Sequence, residues 1–381
     1  MKILDWYILK KYLVAVVFTL LMFSVIAVAI DASEKTDDFV KSRLTTYEII
    51  TNYYIGFVPF IISMIFPLMV FIAVIFFTSK LAGRSEIVAI IAGGVPYNRF
   101  LRPYFVGSIF LALTFWMASQ YLIPRANVIR GNFQTRYVDN NSSYYSGLGR
   151  KNEYYFQVDA FTFAGMRYYD TVNKSASNFF LQRVATEKTS LNAGSENVSA
   201  VNASPKVKYN LRAETIHWDT AKKNWRLENV IERKIDGLME TVKQIPSMNI
   251  TLNLQPHELR RDRYMKDKLT TPELKEYIRQ ANKRGQEGLN EFKVERFKRD
   301  ATSVSVIILT MIGAIIASRK TRGGLGLHLA MGLIIGVLFF GMNTFSTVFS
   351  TNASLDPLLA AWLPNVVFTI VAAFLYFKAA K

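Results

Sequence analysis

Six stretches of this chain run for 18 or more residues without an Asp, Glu, Lys or Arg: 12–30, 49–79, 103–124, 301–318, 323–355 and 357–377. A helix needs about 20 apolar residues to cross roughly 30 Å of hydrocarbon. Between Arg125 and Asp300 the longest such uncharged run is 14 residues, 244–257, too short to span. This segregation excludes a single soluble domain, a coiled coil and a disordered chain. It predicts an α-helical membrane protein with three spans, one large water-exposed insert, and three more spans.

The spans are predicted near 8–30, 54–79, 100–123, 300–318, 324–348 and 357–378. Pro59 and Pro67 should bend the second, because each removes an internal hydrogen bond. The third should end near Pro124. The fourth is short and borrows Phe292, Val294 and Phe297 from a charged helix beginning near Glu291. The first apolar run is longer than a signal-peptide core, and no small-residue cleavage site follows it, so it is expected to be a retained span. The formal charge of +17 invites a nucleic-acid reading. It is set aside because the basic residues are spread along a chain that mostly sits in lipid. With no cysteine in the chain, disulfides, thiolate zinc sites and cysteine nucleophiles are excluded.

Short loops orient a membrane protein, since cytoplasmic flanks collect Lys and Arg. Loop 80–102 has Lys80, Arg84, Arg99 and Arg102 against Glu86, and loop 319–322 has Arg319, Lys320 and Arg322 with no acid. Loop 31–48 carries Asp31, Glu34, Asp37, Asp38 and Glu48 against three cations. Both termini, loop 80–102 and loop 319–322 are therefore expected in the cytoplasm. Loop 31–48, the insert and the turn near Asp356 are expected on the other side.

The insert reads as β. Residues 154–158, 178–184, 208–218, 225–235 and 248–254 are rich in strand formers, and 219–224 reads as a turn. Ile250, Leu252 and Leu254 should share a face. Such short strands suggest a sandwich, jelly roll or open barrel, and 189–204 reads as a flexible loop. Thr271-Pro272-Glu273 has the form of a helix start, with an end near Gly285. The expected division is 1–124 for the first three spans, 125–270 for the β domain, and 271–381 for a connecting helix and the last three spans.

Three motifs carry functional expectations. Ser85-Glu86-Ile87-Val88-Ala89-Ile90-Ile91-Ala92-Gly93-Gly94 makes a short helix between spans, with Ser85 as cap and Glu86 suited to the helix dipole. Such a helix either rests on lipid or docks in the groove of another protein. Gly332 and Gly336 permit close helix approach, either as ordinary packing or as a moving interface. Lys293, Arg296, Lys298 and Arg299, with Arg125, Arg130 and Arg136 after the third span, are either snorkelling interfacial charge or a basic rim for lipid phosphates. Catalytic patterns are missing. His217, His257 and His328 are isolated, and no phosphate loop occurs. The uncharged cores of the spans are expected to hold no carboxylate, His, Lys or Arg, which argues against ion coupling. Any work on a substrate then draws its energy from a partner.

The order of these pieces resembles the lipopolysaccharide-transport permease family LptF/LptG. The resemblance rests on Leu4-Asp5-Trp6-Tyr7-Ile8, the short helix from Ser85, Ile216-His217-Trp218-Asp219 with Trp225-Arg226-Leu227, Glu295 with Arg299, and Ala361-Trp362-Leu363-Pro364-Asn365. It covers essentially the whole chain, and the start and end motifs lie nearer LptG. It implies a subunit of an ABC transporter that extracts lipopolysaccharide from the inner membrane and passes it to a periplasmic bridge, with no enzymatic activity and no cofactor of its own. The implied partners are a homologous permease, a dimer of the ATPase LptB, LptC and the lipid; no nucleic acid is implied. It also implies a periplasmic jelly-roll-like domain, and a coupling helix at 85–93 made by Ser85, Glu86, Ile87, Val88, Ile90 and Ile91, with Glu86 facing the ATPase. Lys35, Arg125, Arg130, Arg136, Lys293, Arg296 and Arg299 are the candidate headgroup contacts, and Gly332 and Gly336 the candidate packing or gate positions. The chain departs from the family at Asp31, near which some members carry a Lys, so Lys35 is the nearest substitute. The alternatives are a permease for another lipid, a membrane anchor that displays the β insert, and a membrane enzyme, which would need convergent acids or a histidine site.

Overall fold

The computed structural model describes residues 3–138, 153–159, 161–170, 173–185, 206–220, 222–236, 239–252, 264–283, 288–319, 321, 323–353 and 355–379. The expected loop at 189–204, the helix end near Gly285, and Lys320, Arg322, Leu254 and His257 lie outside them. The chain divides into two compact units. One comprises Met1–Asn141, Tyr264–Ile278 and Gly288–Lys381; the other comprises Ser142–Arg263 and Arg279–Glu287.

The first unit holds six helices long and apolar enough to cross a membrane: α1 (Ile3–Glu34), α3 (Thr46–Gly83), α5 (Tyr97–Val138), α8 (Asn290–Ala317), α9 (Gly324–Asn352) and α10 (Pro357–Ala379). Between them lie α2 (Thr36–Ser42), α4 (Glu86–Ala92), α6 (Met265–Lys268) and α7 (Thr271–Lys283). All six predicted spans are present. Their charged flanks continue the helices, because a helix satisfies its own backbone whatever its side chains meet.

Two boundaries differ from expectation. The third span does not stop at Pro124. A widened π turn at Ala118–Leu122 precedes Pro124, which occupies the first turn of the next helical segment, where its missing N–H costs nothing. Residues 125–138 therefore belong with the bundle rather than with the insert. The second span begins at Thr46, where Thr45 and Glu48 form a reciprocal capping box, a start signal present in the sequence.

α8 is the centre of this unit and packs against α10, α3 and α5. Its Val306, Leu309, Ile312 and Ala314 are fully buried. Several polar groups inside the bundle are paired across helices, where there is no water to satisfy them. Ser305 donates to Asn365 (2.8 Å), whose amide donates to the Ala301 carbonyl (2.7 Å). Tyr12 meets Thr310 at 3.2 Å, and Thr78 donates to Tyr104 at 3.0 Å. The expectation of no histidine within the spans is corrected by His328, which lies in α9, 1% exposed and hydrogen-bonded. A count of charged residues alone passes over a neutral imidazole.

The second unit contains a six-stranded antiparallel sheet in sequential order: β1 (Glu153–Asp159), β2 (Thr162–Asp170), β3 (Ser175–Ala185), β4 (Lys206–Asp219), β5 (Asn224–Asp236) and β6 (Met239–Ile250). The predicted turn closes β4 onto β5. There Trp218 pairs with Trp225 edge to face at 5.1 Å, and Asp219 accepts from the Lys222 amide. One face is apolar, with Phe179, Leu211, Ile216, Trp225, Leu227 and Val230 buried. Ile250 and Leu252 pack on that same face.

A line of kinks crosses this sheet. Asn178 in β3 and Asn229 in β5 hold positive φ (52° and 51°), and the Asn229 amide donates to Glu214 of β4. Buried positions change parity there, from Ala176 to Phe179, Ala213 to Ile216, and Leu227 to Val230. Asn tolerates this backbone better than most residues. The kinks let both halves of each strand keep an apolar side toward one core.

Candidate functional site

The two ends of the bundle carry different chemistry. At one end α4 follows α3 after two residues. Ser85 sits at φ +61° and makes no side-chain cap to the helix, so the expected capping role is corrected: its left-handed backbone serves the turn instead. Ile87 is buried in the main bundle core at 1% exposure, with Ile8, Leu81 and Phe100. Val88 and Ile91 point outward at 53% and 43%, beside exposed Ala89 and Ala92 and half-buried Ile90. Glu86 is held at its base: Tyr7 donates to it at 3.4 Å, and the Arg84 guanidinium stands 3.9 Å away. Lys11 donates to Tyr7 at 2.5 Å. The geometry is a helix anchored by one apolar residue, with an apolar outer face and one carboxylate at its start.

At the other end the basic candidates separate into two groups. Lys35 is enclosed. It donates to Asp31 Oδ1 at 2.5 Å and to the Tyr53 hydroxyl, and it lies over the Tyr53 and Phe57 rings. Tyr53 also donates to Asp31, at 3.0 Å. Arg130, 7% exposed, stacks on Phe60 at 3.6 Å. Gly56 is what lets α3 come so near, since a Cβ there would sit 2.4 Å from the Ala126 carbonyl and 2.7 Å from the Arg130 nitrogen.

Arg299, 6% exposed, is saturated by Glu295 (3.1 Å), Thr271 (3.0 Å) and the Lys266 carbonyl (3.2 Å). Asn127 donates to the Asp267 carbonyl and Lys268 to Asn132. The segment returning at Tyr264–Thr271 is thereby clamped between α5 and α8. Burial, then the neighbouring Glu295 carboxylate, push the Asp267 carboxyl up to about 6, against the nearby cations Lys266, Arg130 and Arg299. Arg125 and Arg136 are exposed and Lys293 and Arg296 partly so. None of these four makes an ion pair with the described residues. Arg136 and Arg296 rest on the rings of Tyr137 and Phe297.

Of the seven basic candidates, Lys35, Arg130 and Arg299 are thus committed inside the fold, and four remain open. Nothing local in the sequence marks Tyr53 or Asp267 as neighbours of these cations. The 31/35 spacing is a helical ion-pair signal, hidden by the expectation that the first span ends at 30. Gly332 and Gly336 press on Ile75 and Leu68 of α3. Among the described residues no three His or acidic side chains are grouped to hold a metal. Apolar grooves lie along α1 (Leu13, Val17, Phe18, Leu21) and between α3 and α9 (Ile72, Ile75, Leu329, Leu333).

Comparison with known proteins agrees with this architecture. The chain is 21% identical to the lipopolysaccharide export system permease protein LptG of Escherichia coli K12, over 99% of this chain and 98% of that protein. The same figures hold for the LptG of Escherichia coli O6:H1 strain CFT073. The family described as lipopolysaccharide export system permease LptF/LptG matches residues 6–378. A multi-pass helical chain with an inserted β unit, matched over nearly its whole length, this protein belongs to the LptF/LptG family of lipopolysaccharide export permeases.

Proposed function

We propose that this chain is one permease of an ATP-driven extractor that takes lipopolysaccharide from the inner membrane and hands it to a periplasmic bridge. In this reading both termini and α4 face the cytoplasm, and the β unit is periplasmic. The chain pairs with a homologous permease, two copies of an LptB-type ATPase and LptC. The observation that carries the coupling role is α4 itself. Ile87 fixes it to the bundle, while Val88, Ile91 and Ala92 remain uncovered beside Glu86, which is the form of a helix that docks in a groove.

The acyl chains would lie against the apolar grooves of α1 and of α3 with α9. Arg125, Arg136, Lys293 and Arg296 are the headgroup contacts in this reading, because their charges are uncommitted. ATP binding and hydrolysis in the partner would shift α4 and narrow the cavity, the differential binding that a two-state cycle requires.

The test is ATP hydrolysis and lipid release by the reconstituted complex. Glu86→Arg is expected to abolish release and weaken capture of the ATPase. Unchanged assembly and release would refute the coupling role. Release of lipid with no ATPase present would favour a different class of protein.

A further inference from the structure

α9 meets α3 along a single line. His328, Gly332 and Gly336 are spaced four residues apart and share one helix face. Opposite them on α3 stand Ser79, Ile75 and Leu68. Ser79 Oγ is 2.6 Å from His328 Nδ1. A Cβ on Gly332 would meet Ile75 Cδ1 at 2.3 Å, and one on Gly336 would meet Leu68 Cδ1 at 2.5 Å. His328 is 1% exposed and Ser79 3%. The other ring nitrogen, Nε2, is 3.4 Å from the Thr321 hydroxyl, in the turn before α9.

A neutral imidazole has one donor and one acceptor nitrogen, so it can serve two hydroxyls at once. Here it joins the last turns of α3 to α9 and to the turn that precedes α9. Sliding α9 by one turn, about 5.4 Å, would leave both buried groups of the Ser79–His328 pair without partners. In either direction one of Ile75 and Leu68 would then meet a position that carries a side chain, His328 or Phe340, while the other would still meet a glycine. The contact has one register.

We propose that His328 is a positioning residue for the transport cycle, locking α9 to α3 so that a displacement of α4 reaches α9 as rigid motion. α3 ends at Gly83 and α4 starts at Glu86, so the joined pair begins two residues from the short helix. The outward side of α9 exposes Ile334, Val337 and Leu338, and that apolar face moves with it. Of the two roles open to Gly332 and Gly336, this assigns a fixed seam rather than a sliding one. The inference rests on the coupling role of α4 proposed above.

The experiment uses the full chain with its homologous permease and ATPase in proteoliposomes containing lipopolysaccharide, and reads lipid released per ATP hydrolysed. His328→Ala should keep hydrolysis within about twofold and lower release per ATP by about tenfold, a typical size for a lost coupling. His328→Asn, whose amide reaches the place of Nδ1, should recover much of it.

Unchanged release per ATP in His328→Ala would overturn the proposal, as would release in His328→Asn no better than in His328→Ala. Glu86→Arg in the same assay separates the claims. Loss of release there with none in His328→Ala overturns the seam alone; no loss in either overturns the coupling role and the seam with it.

Discussion

Asp31 and Lys35 form a pair whose energetics distinguish a buried lock from a surface decoration. Their side chains are 9% and 17% exposed, 2.5 Å apart, and both bond the Tyr53 hydroxyl. Exposed pairs contribute about 0–1 kcal/mol. Breaking a buried pair by removing one partner costs about 3–5 kcal/mol, because the remaining charge stays desolvated. Asp31→Asn and Lys35→Met should each lower stability by that order. The double substitution should cost much less than the sum, since it leaves no stranded charge. A double-mutant cycle on thermal unfolding in detergent, followed by tryptophan fluorescence, therefore has an expected coupling energy of about 2 kcal/mol or more. Additive single effects, each under about 1 kcal/mol, would refute the burial argument. They would return Lys35 to the set of cations open to a headgroup.

Arg299→Lys should destabilise almost as much as Arg299→Ala, about 2–4 kcal/mol, because an ammonium cannot span Glu295, Thr271 and the Lys266 carbonyl; equal melting temperatures for Arg299→Lys and the parent would refute the clamp. Arg125→Ala and Lys293→Ala should leave the melting temperature within about a degree, consistent with the small stability effect of exposed positions, while weakening lipopolysaccharide retention in pulldown. Asp267 titrates near 6 when folded, against an ordinary value of 3.8, so the folded state binds its proton more tightly. Its contribution to stability is present at low pH and is lost as pH rises through about 6. Asp267→Asn should therefore gain stability relative to the parent as pH rises from the ordinary 3.8 to about 6, and hold that gain above it; a pH-independent difference in melting temperature would refute the assignment. Gly336→Leu should cost about 1–3 kcal/mol by overpacking against Leu68, checked by the same melt.

The spans were legible because lipid forbids unpaired charge over a fixed length, and that rule acts on the sequence directly. Their ends were not. Asn127 and Arg130 read as polar exits from a membrane, yet they continue α5 because their partners, the Asp267 carbonyl and the Phe60 ring, come from distant parts of the chain. The hairpin at 219–224 was legible from local turn chemistry. β2 was overlooked because Ala164 and Gly165 dilute its strand signal, and its burial depends on the pairing with β3. The short helix from Glu86 was legible by pattern, but not that Ile87 turns into the bundle while Val88 and Ile91 turn out. The fate of each cation was beyond reading, since solvation and burial give the same letter in the sequence. The Ser79–His328 bond joins positions 249 apart, which no local period encodes.

α5 is 42 residues long, about 63 Å if straight at 1.5 Å per residue, whereas hydrocarbon occupies only about 30 Å. Roughly half of it therefore exceeds what hydrocarbon requires, and that half is braced by α3, α6 and α8, so the extra length extends the bundle itself rather than a lone strut.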